Sequence, residues 1–170
     1  LPFELVEKES EKVVSRNKGL YLMSPKDLCS VQILNRFKEA GVKSLKIEGR
    51  MKGPEYVAVV TRTYRKYLDE YVIKSESNPN GEYTVEDSDI KELTQVFNRG
   101  GFSRGYLEGK SGSNMMSYEK PKNWGIHLGK VISYDRSSSA VKLTINTDLA
   151  IGDGIEIWNG EEQSPGTVVT

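Results

Sequence analysis

The spacing of apolar residues changes along this chain, and the change limits the folds that it can adopt. After Pro54 they recur at helical spacing, at Tyr56, Val57, Val60, Tyr64, Tyr67, Leu68 and Tyr71. After Trp124 they recur at every second position, as in Ile126 and Leu128. The first pattern is typical of an amphipathic helix and the second of half-buried strands. We therefore expect an α+β chain built of two modules.

The first module alternates strands and helices. Apolar runs predict strands over residues 19–23 and 42–48. Ser24 and Pro25 predict the start of a helix that carries Leu28 to Phe37, and Pro54 predicts the start of the next. Strand, helix, strand, helix with short links favours parallel strands. We expect residues 1–75 to be the carboxy-terminal fragment of a TIM-like α/β barrel.

Two further regions follow. Residues 76–122 are predicted to hold a polar linker (SESNPNG), a short helix from Asp87 to Phe97 and an ordered glycine-rich loop. Residues 123–170 contain short alternating runs with a Gly152-Asp153-Gly154 turn. This pattern predicts a small antiparallel β-barrel, truncated at its end.

Composition narrows the class of protein. No apolar run approaches the roughly 20 residues that cross a bilayer, so we expect no membrane span and a cytoplasmic location. The single cysteine, Cys29, rules out an internal disulfide framework. The chain starts at Leu1 without methionine, so we expect a fragment of a longer protein. Such a fragment exposes a strand edge and is expected to self-associate.

The segment KIEGRMKGPEYV carries more charge than a connecting turn needs. Glu48, Arg50 and Lys52 follow a predicted strand, and Lys26 follows the strand before it. Functional loops leave the carboxyl ends of parallel strands, so both loops are expected on one face. Glu48 and Arg50 are the predicted catalytic residues, since Arg50 suits an anion and Glu48 suits orientation of Arg50 or proton transfer. Lys26 and Lys52 are predicted to bind substrate. The alternative is that Glu48 and Arg50 simply pair with each other.

Charge is also unevenly spread along the chain. Basic residues outnumber acidic ones between Lys46 and Lys66, and acidic residues outnumber basic ones between Asp69 and Glu92. The asymmetry indicates either an anion-binding face or ordinary charged helix surfaces.

Cys29 and the loop from Arg99 to Tyr106 can each be interpreted in two ways. Cys29 is predicted to lie a turn into a helix, as a buried small side chain or as a metal ligand. The only histidine, His127, alternates with apolar residues in the β module, which disfavours a catalytic pair with Cys29. Arg99 and Arg104 interleave with Phe102 and Tyr106, a pattern that suits RNA binding or loop anchoring.

Three segments together resemble a known family. YLMSPKDLC, AGVKSLKIEGRMKGPEYVAVVTRTYRKYLD and FNRGGFSRGYL are similar to collagenase-like proteins of peptidase family U32, over roughly residues 20–130. GKVIS and LAIGDGIEI resemble barrel domains appended to longer members, and also the second domain of translation elongation factors.

This resemblance implies a TIM-like barrel and a peptidase label. It also implies RNA hydroxylation, of a tRNA wobble uridine with prephenate as a hydroxyl source or of a cytidine in large-subunit rRNA. An iron–sulfur cluster or iron is implied for the whole protein, with Cys29 matching a family cysteine and no cofactor held by this chain alone.

Three functional hypotheses follow from the sequence. The first is RNA base hydroxylation by the whole protein, with tRNA or rRNA and a prephenate-like anion as partners. The second is a metal- or thiol-dependent peptidase, although the chain offers no set of nucleophile, base and orienting group. The third is a non-catalytic region that docks RNA or protein. The isolated fragment is expected to be inactive both as a hydroxylase and as a peptidase.

Overall fold

A computed structural model describes residues 2–15, 19–78, 81–109, 112–160 and 164–170. Within it the chain forms two compact units, Leu1–Ile126 and His127–Thr170. Pro79 and Asn80 of the predicted linker, and Lys110 and Ser111 of the glycine-rich loop, lie outside the described residues.

Three α-helices build the first unit. They are α1 (Leu34–Glu39), α2 (Pro54–Ser77) and α3 (Asp87–Val96). Pro54 occupies the first turn of α2, where its missing N–H costs no hydrogen bond. The predictions of a helix starting at Pro54 and of another starting at Asp87 are confirmed. The first runs on to Ser77, into residues that were predicted to be linker.

The core of this unit lies where α2 meets α1, α3 and a short 3₁₀ helix (Val31–Ile33). Val31, Leu34, Val60, Tyr67 and Leu93 are its buried apolar residues. Val60 and Tyr67 belong to the predicted stripe, whose other members are half-buried except for Val57, which is 42% exposed. The helical spacing thus identifies the face of α2 that packs inward.

Ion pairs explain the uneven charge along the sequence. Arg62 pairs with Glu92, and Lys66 Nζ lies 2.8 Å from Asp89 Oδ2, so basic residues of α2 meet acidic residues of α3. Arg65 pairs with Asp69 one turn further along α2. These contacts support the interpretation of ordinary charged helix surfaces for this part of the basic run.

The predicted strands at 19–23 and 42–48 are wrong, since neither segment is assigned to a strand. A strand needs a hydrogen-bonded partner, and no described residue pairs with these segments in a ladder. Strand β1 (Asp27–Leu28) instead pairs in parallel with β2 (Phe102–Ser103). Regular helix therefore begins after Cys29, and the predicted helix start at Ser24 and Pro25 is also wrong.

The second unit consists of two antiparallel hairpins in the part that is described. Strands β3 (Gly129–Asp135) and β4 (Ala140–Ile145) form one, with an irregularity between Val131 and Ser133. Strands β5 (Gly154–Glu156) and β6 (Gly166–Val168) form the other. The fold is therefore mixed helix and strand with small sheets, and the described residues form no closed barrel. No helix among them is long and apolar enough to cross a membrane.

Candidate functional site

An ion pair joins two of the family-like segments. Asp27 accepts hydrogen bonds from the main-chain nitrogen of Arg99 at 2.9 Å, from its Nε at 3.2 Å and from its Nη2 at 3.0 Å. The pairing of β1 with β2 makes this contact possible, because it brings PKDLC beside the NRGGFSR loop. Both side chains are largely buried, at 19% exposure for Asp27 and 30% for Arg99. Arg99, predicted to bind substrate, thus has its guanidinium held by a carboxylate.

Lys52 brings the third family-like segment to the same place. Its Nζ lies 2.8 Å from the centroid of the Phe97 ring and 5.8 Å from that of Tyr56. Burial lowers the pKa of Lys52 and the Arg99 guanidinium lowers it further, while the Asp27 carboxylate opposes both. Lys52, Asp27 and Arg99 therefore form one group, which we call the charged cluster. With two cations and one carboxylate, it carries an excess positive charge.

Cys29 lies next to this cluster, two residues after Asp27. Its main-chain nitrogen donates to Ser103 O at 2.9 Å, and Tyr64 Oη lies 4.0 Å from its Sγ. Burial raises the pKa of the Cys29 thiol, although hydrogen bonds from Val31 N–H and Tyr64 and the charge of Arg104 act against that rise. Burial likewise raises the pKa of Tyr64 to about 12. A neutral thiol beside a neutral phenol lacks the base that a thiol nucleophile needs.

The prediction that Cys29 is a metal ligand depends on whether other ligand-type side chains lie near it. The described residues contain no group of three or more His, Cys, Asp and Glu side chains able to hold a metal ion. Cys29 thus belongs to no such group, and this part of the chain does not by itself fit an iron–sulfur cluster. His127 belongs to the second compact unit.

Arg104 follows β2 and lies close enough to Cys29 to influence its pKa. Its Nη2 donates to Gln32 Oε1 at 3.2 Å, and its Nη1 pairs with Glu108. Glu108 also pairs with Arg36. Arg104 is therefore tied to its own loop and to the residue after Val31, which favours the loop-anchoring interpretation for this guanidinium.

The structure separates Glu48 from Arg50. Glu48 Oε1 lies 2.7 Å from Lys46 Nζ, and both side chains are mostly exposed. Arg50 is also exposed, and among the described residues none forms an ion pair with it. The alternative that Glu48 and Arg50 pair with each other is not observed. Arg50 is left available to an anion near the amino end of α2.

Lys26 lies apart from the cluster's ion pair. Its main-chain nitrogen donates to Met115 O at 2.8 Å, and the residue lines an open cleft with Gly100, Tyr118 and Trp124. The structure thus groups Lys52, Arg99 and Cys29 near Asp27, with Arg104 beside Cys29 and Lys26 in the lining of the open cleft.

Sequence reasoning missed three residues that organise the site. Asp27 and Tyr64 were not singled out as site residues, although both lie within the family-like segments. Asn98 is almost fully buried; its Nδ2 donates to Thr94 O and Gly125 O, and its Oδ1 accepts from Gly101 N. It therefore fixes the loop that carries Arg99. In the sequence, the amide side chain of Asn98 between Phe97 and Arg99 was the signal that could have indicated this role.

Comparison with known proteins places the same segments in one family. The model described as peptidase family U32 matches residues 1–117. The chain is 36% identical over 141 residues to a collagenase of Porphyromonas gingivalis (81% of the chain, 32% of that protein). It is 32% identical over 143 residues to tRNA hydroxylation protein P1 of Bacillus subtilis (83% of the chain, 32% of that protein).

A third relative is the 23S rRNA 5-hydroxycytidine C2501 synthase of Escherichia coli, 30% identical over 158 residues (92% of the chain, 23% of that protein). The chain therefore spans about a third or less of the length of these relatives. No solved structure matches it.

Proposed function

Because this chain belongs to peptidase family U32, we propose that it forms the anion-binding side of a site at which the whole protein hydroxylates a base of tRNA or rRNA. The observation that carries the proposal is the charged cluster, in which Asp27 is ion-paired with Arg99 and lies close enough to Lys52 to influence its pKa. All three family-like segments contribute to it or adjoin it. The cluster is the feature of this chain best suited to bind a charged co-substrate.

Electrostatics support an anion at the cluster. A cation that is partly removed from water gains from a nearby negative charge, and the lowered pKa of Lys52 reflects the lack of full compensation by Asp27. Arg50, on the same loop as Lys52, adds a planar guanidinium that can hold a carboxylate through two hydrogen bonds. A small carboxylate of the prephenate kind, as hydroxyl source, fits this charge pattern.

The RNA part of the proposal draws on the relatives. One is named for tRNA hydroxylation and another as a 5-hydroxycytidine synthase acting on 23S rRNA. The same proposal includes iron or an iron–sulfur cluster in the whole protein, with Cys29 as one ligand. It also includes a TIM-like barrel that contains part of the first unit and a closed β-barrel that contains the second unit. Since the described residues do not form a metal site, the role assigned to this chain is confined to binding and orientation.

A peptidase is the second candidate, favoured by 36% identity to a collagenase. The environment of Cys29 argues against a thiol mechanism in this chain, because burial raises the thiol pKa and the side chain that hydrogen-bonds the thiol is a tyrosine. Cleavage of gelatin by the purified whole protein, abolished by Cys29→Ser, would favour the peptidase. A docking region without catalysis predicts RNA binding with no change in any nucleoside.

Nucleoside mass spectrometry tests the proposal. RNA from cells that lack the gene is expected to lose a hydroxylated pyrimidine that the parent strain contains, and the intact gene should restore it. An identical set of modified nucleosides in both strains would refute RNA hydroxylation by this protein.

A further inference from the structure

The open cleft lined by Lys26 lies beside the loop that carries Arg99 and is not used by the function proposed above. It is an open cleft of about 500 Å³. Lys26, Gly100, Asn114, Tyr118, Glu119 and Trp124 contribute to its lining. We call it the Trp124 cleft. Its volume lies within the range of about 300–1,000 Å³ that small-molecule sites occupy.

Two glycines allow the walls of the Trp124 cleft to approach each other. A Cβ at Gly100 would lie 2.8 Å from Ser117 Oγ and 3.3 Å from the Trp124 ring. A Cβ at Gly19 would lie 2.6 Å from Tyr118 O. Both glycines also have positive φ, of +74° at Gly100 and +89° at Gly19, which other residues rarely adopt. The shape of the cleft therefore depends on residues without side chains at these two positions.

Hydrogen bonds hold the indole in place. Trp124 Nε1 donates to Lys120 O at 3.0 Å, and its main-chain nitrogen donates to Asn98 O at 2.9 Å. Asn98 is the buried residue that also fixes the Arg99 loop. The aromatic wall of the cleft is thus rigidly attached to the loop of the charged cluster.

Lys26 supplies the positive charge of the cleft. The residue is half-buried, and among the described residues no acidic side chain forms an ion pair with it. The carboxylate of its neighbour Asp27 accepts hydrogen bonds from Arg99. Glu119 is the acidic residue in the lining, and it is exposed. The Lys26 ammonium therefore shares a cavity with a fixed aromatic ring.

We propose that the Trp124 cleft binds one nucleotide of single-stranded RNA, with its base against the Trp124 indole and its phosphate on the Lys26 ammonium. Aromatic rings stack on unpaired bases, and a lysine contacts phosphate as a point charge. The Asn114 amide offers both a donor and an acceptor to a base edge. The inference rests on the proposed function, since it supplies the RNA contact that a hydroxylating site requires.

Binding of a short fluorescent oligoribonucleotide to the purified whole protein tests the cleft. Trp124→Leu is expected to weaken binding about tenfold, in line with the loss of one stacked base. Lys26→Ala should weaken binding and reduce the slope of log affinity against log salt by about 0.7, the value for one lost phosphate contact. Lys43→Ala, at an exposed lysine outside the cleft, should leave both unchanged.

Two further measurements keep the test independent of the folding of any one variant. RNA should quench tryptophan fluorescence, and Trp124→Leu should remove that part of the signal. An oligonucleotide with abasic sites should bind more weakly and quench less. Equal affinity of wild type, Lys26→Ala and Trp124→Leu for the intact oligonucleotide, with equal quenching in wild type and Trp124→Leu, would overturn the proposal.

The two proposals fail in different ways. If RNA is not hydroxylated but the cleft binds it, affinity stays sensitive to Lys26 while the nucleosides of the deletion strain are unchanged. If hydroxylation occurs but the cleft is not used, the modified nucleoside disappears on deletion while Lys26→Ala and Trp124→Leu bind RNA like the wild type.

Discussion

Asp27 accepts three hydrogen bonds from Arg99, one from its main-chain nitrogen and two from its guanidinium. The residues are 72 positions apart in the chain, so this contact fixes the glycine-rich loop against β1. The same carboxylate acts on Lys52 of a third segment. Asp27 is therefore the centre of the candidate site, although it carries the charge opposite to that of the expected ligand.

The Asp27–Arg99 pair should contribute measurably to stability. Asp27→Asn removes the charge from hydrogen bonds that contribute about 1.5–3 kcal/mol when one partner is ionised. We expect a comparable loss in the free energy of unfolding, measured by urea denaturation of the purified protein. Asp69→Asn, which alters an exposed pair with Arg65, is the matched control and should change that free energy by less than about 1 kcal/mol. Similar losses in the two variants would contradict the central structural role of Asp27.

The thiol of Cys29 should react slowly at neutral pH. Because burial raises the pKa of Cys29, the thiol stays protonated at pH 7 and the reactive thiolate forms only under alkaline conditions. The rate of iodoacetamide alkylation, followed by mass spectrometry of the Cys29 peptide, should still be rising above pH 9. Tyr64→Phe removes a group that favours the thiolate and should shift the profile to higher pH. A rate that reaches its plateau below pH 8 would indicate an activated nucleophile and would support the hypothesis of a thiol-dependent peptidase.

Gly100 and Gly101 form a matched pair for substitution by alanine. Both have positive φ, so either change costs about 1–2 kcal/mol in backbone strain. A Cβ at Gly101 meets no atom within 4 Å, whereas one at Gly100 lies 2.8 Å from Ser117 Oγ. Gly100→Ala should therefore lose about 1–3 kcal/mol more in the free energy of unfolding, the usual effect of overpacking. Equal losses by urea denaturation would show that the walls of the Trp124 cleft are not in contact here.

Local patterns predicted the helices better than the strands, for a physical reason. The stripe of α2 and the start at Pro54 are local properties of the sequence, and α2 and α3 form where they were expected. A strand depends on a partner that lies elsewhere in the chain. The pairing of Asp27 with Phe102 could not be read from periodicity, because each strand contributes only two residues.

The candidate site was predicted only in part, because it too depends on contacts between distant parts of the chain. The loops containing Lys52 and Arg99 were identified from their unusual charge, and the structure brings both residues to Asp27. Their counter-charge was missed, since a single aspartate in PKDLC carries no local signal of its distant partner. The basic run of α2 left two interpretations open, and the pairing of Arg62 and Lys66 with α3, a contact that only tertiary packing reveals, supports ordinary charged helix surfaces.

Nucleoside mass spectrometry of complemented cells tests whether the charged cluster takes part in RNA hydroxylation. Cells that lack the gene would receive the intact gene, Lys52→Ala or the control Lys43→Ala, with protein levels matched. We predict that the intact gene and Lys43→Ala restore the hydroxylated nucleoside, and that Lys52→Ala restores less than a tenth of it, since one lost charged contact costs about 1.5–3 kcal/mol. Full restoration by Lys52→Ala, or no hydroxylated nucleoside that depends on the gene, would contradict the account.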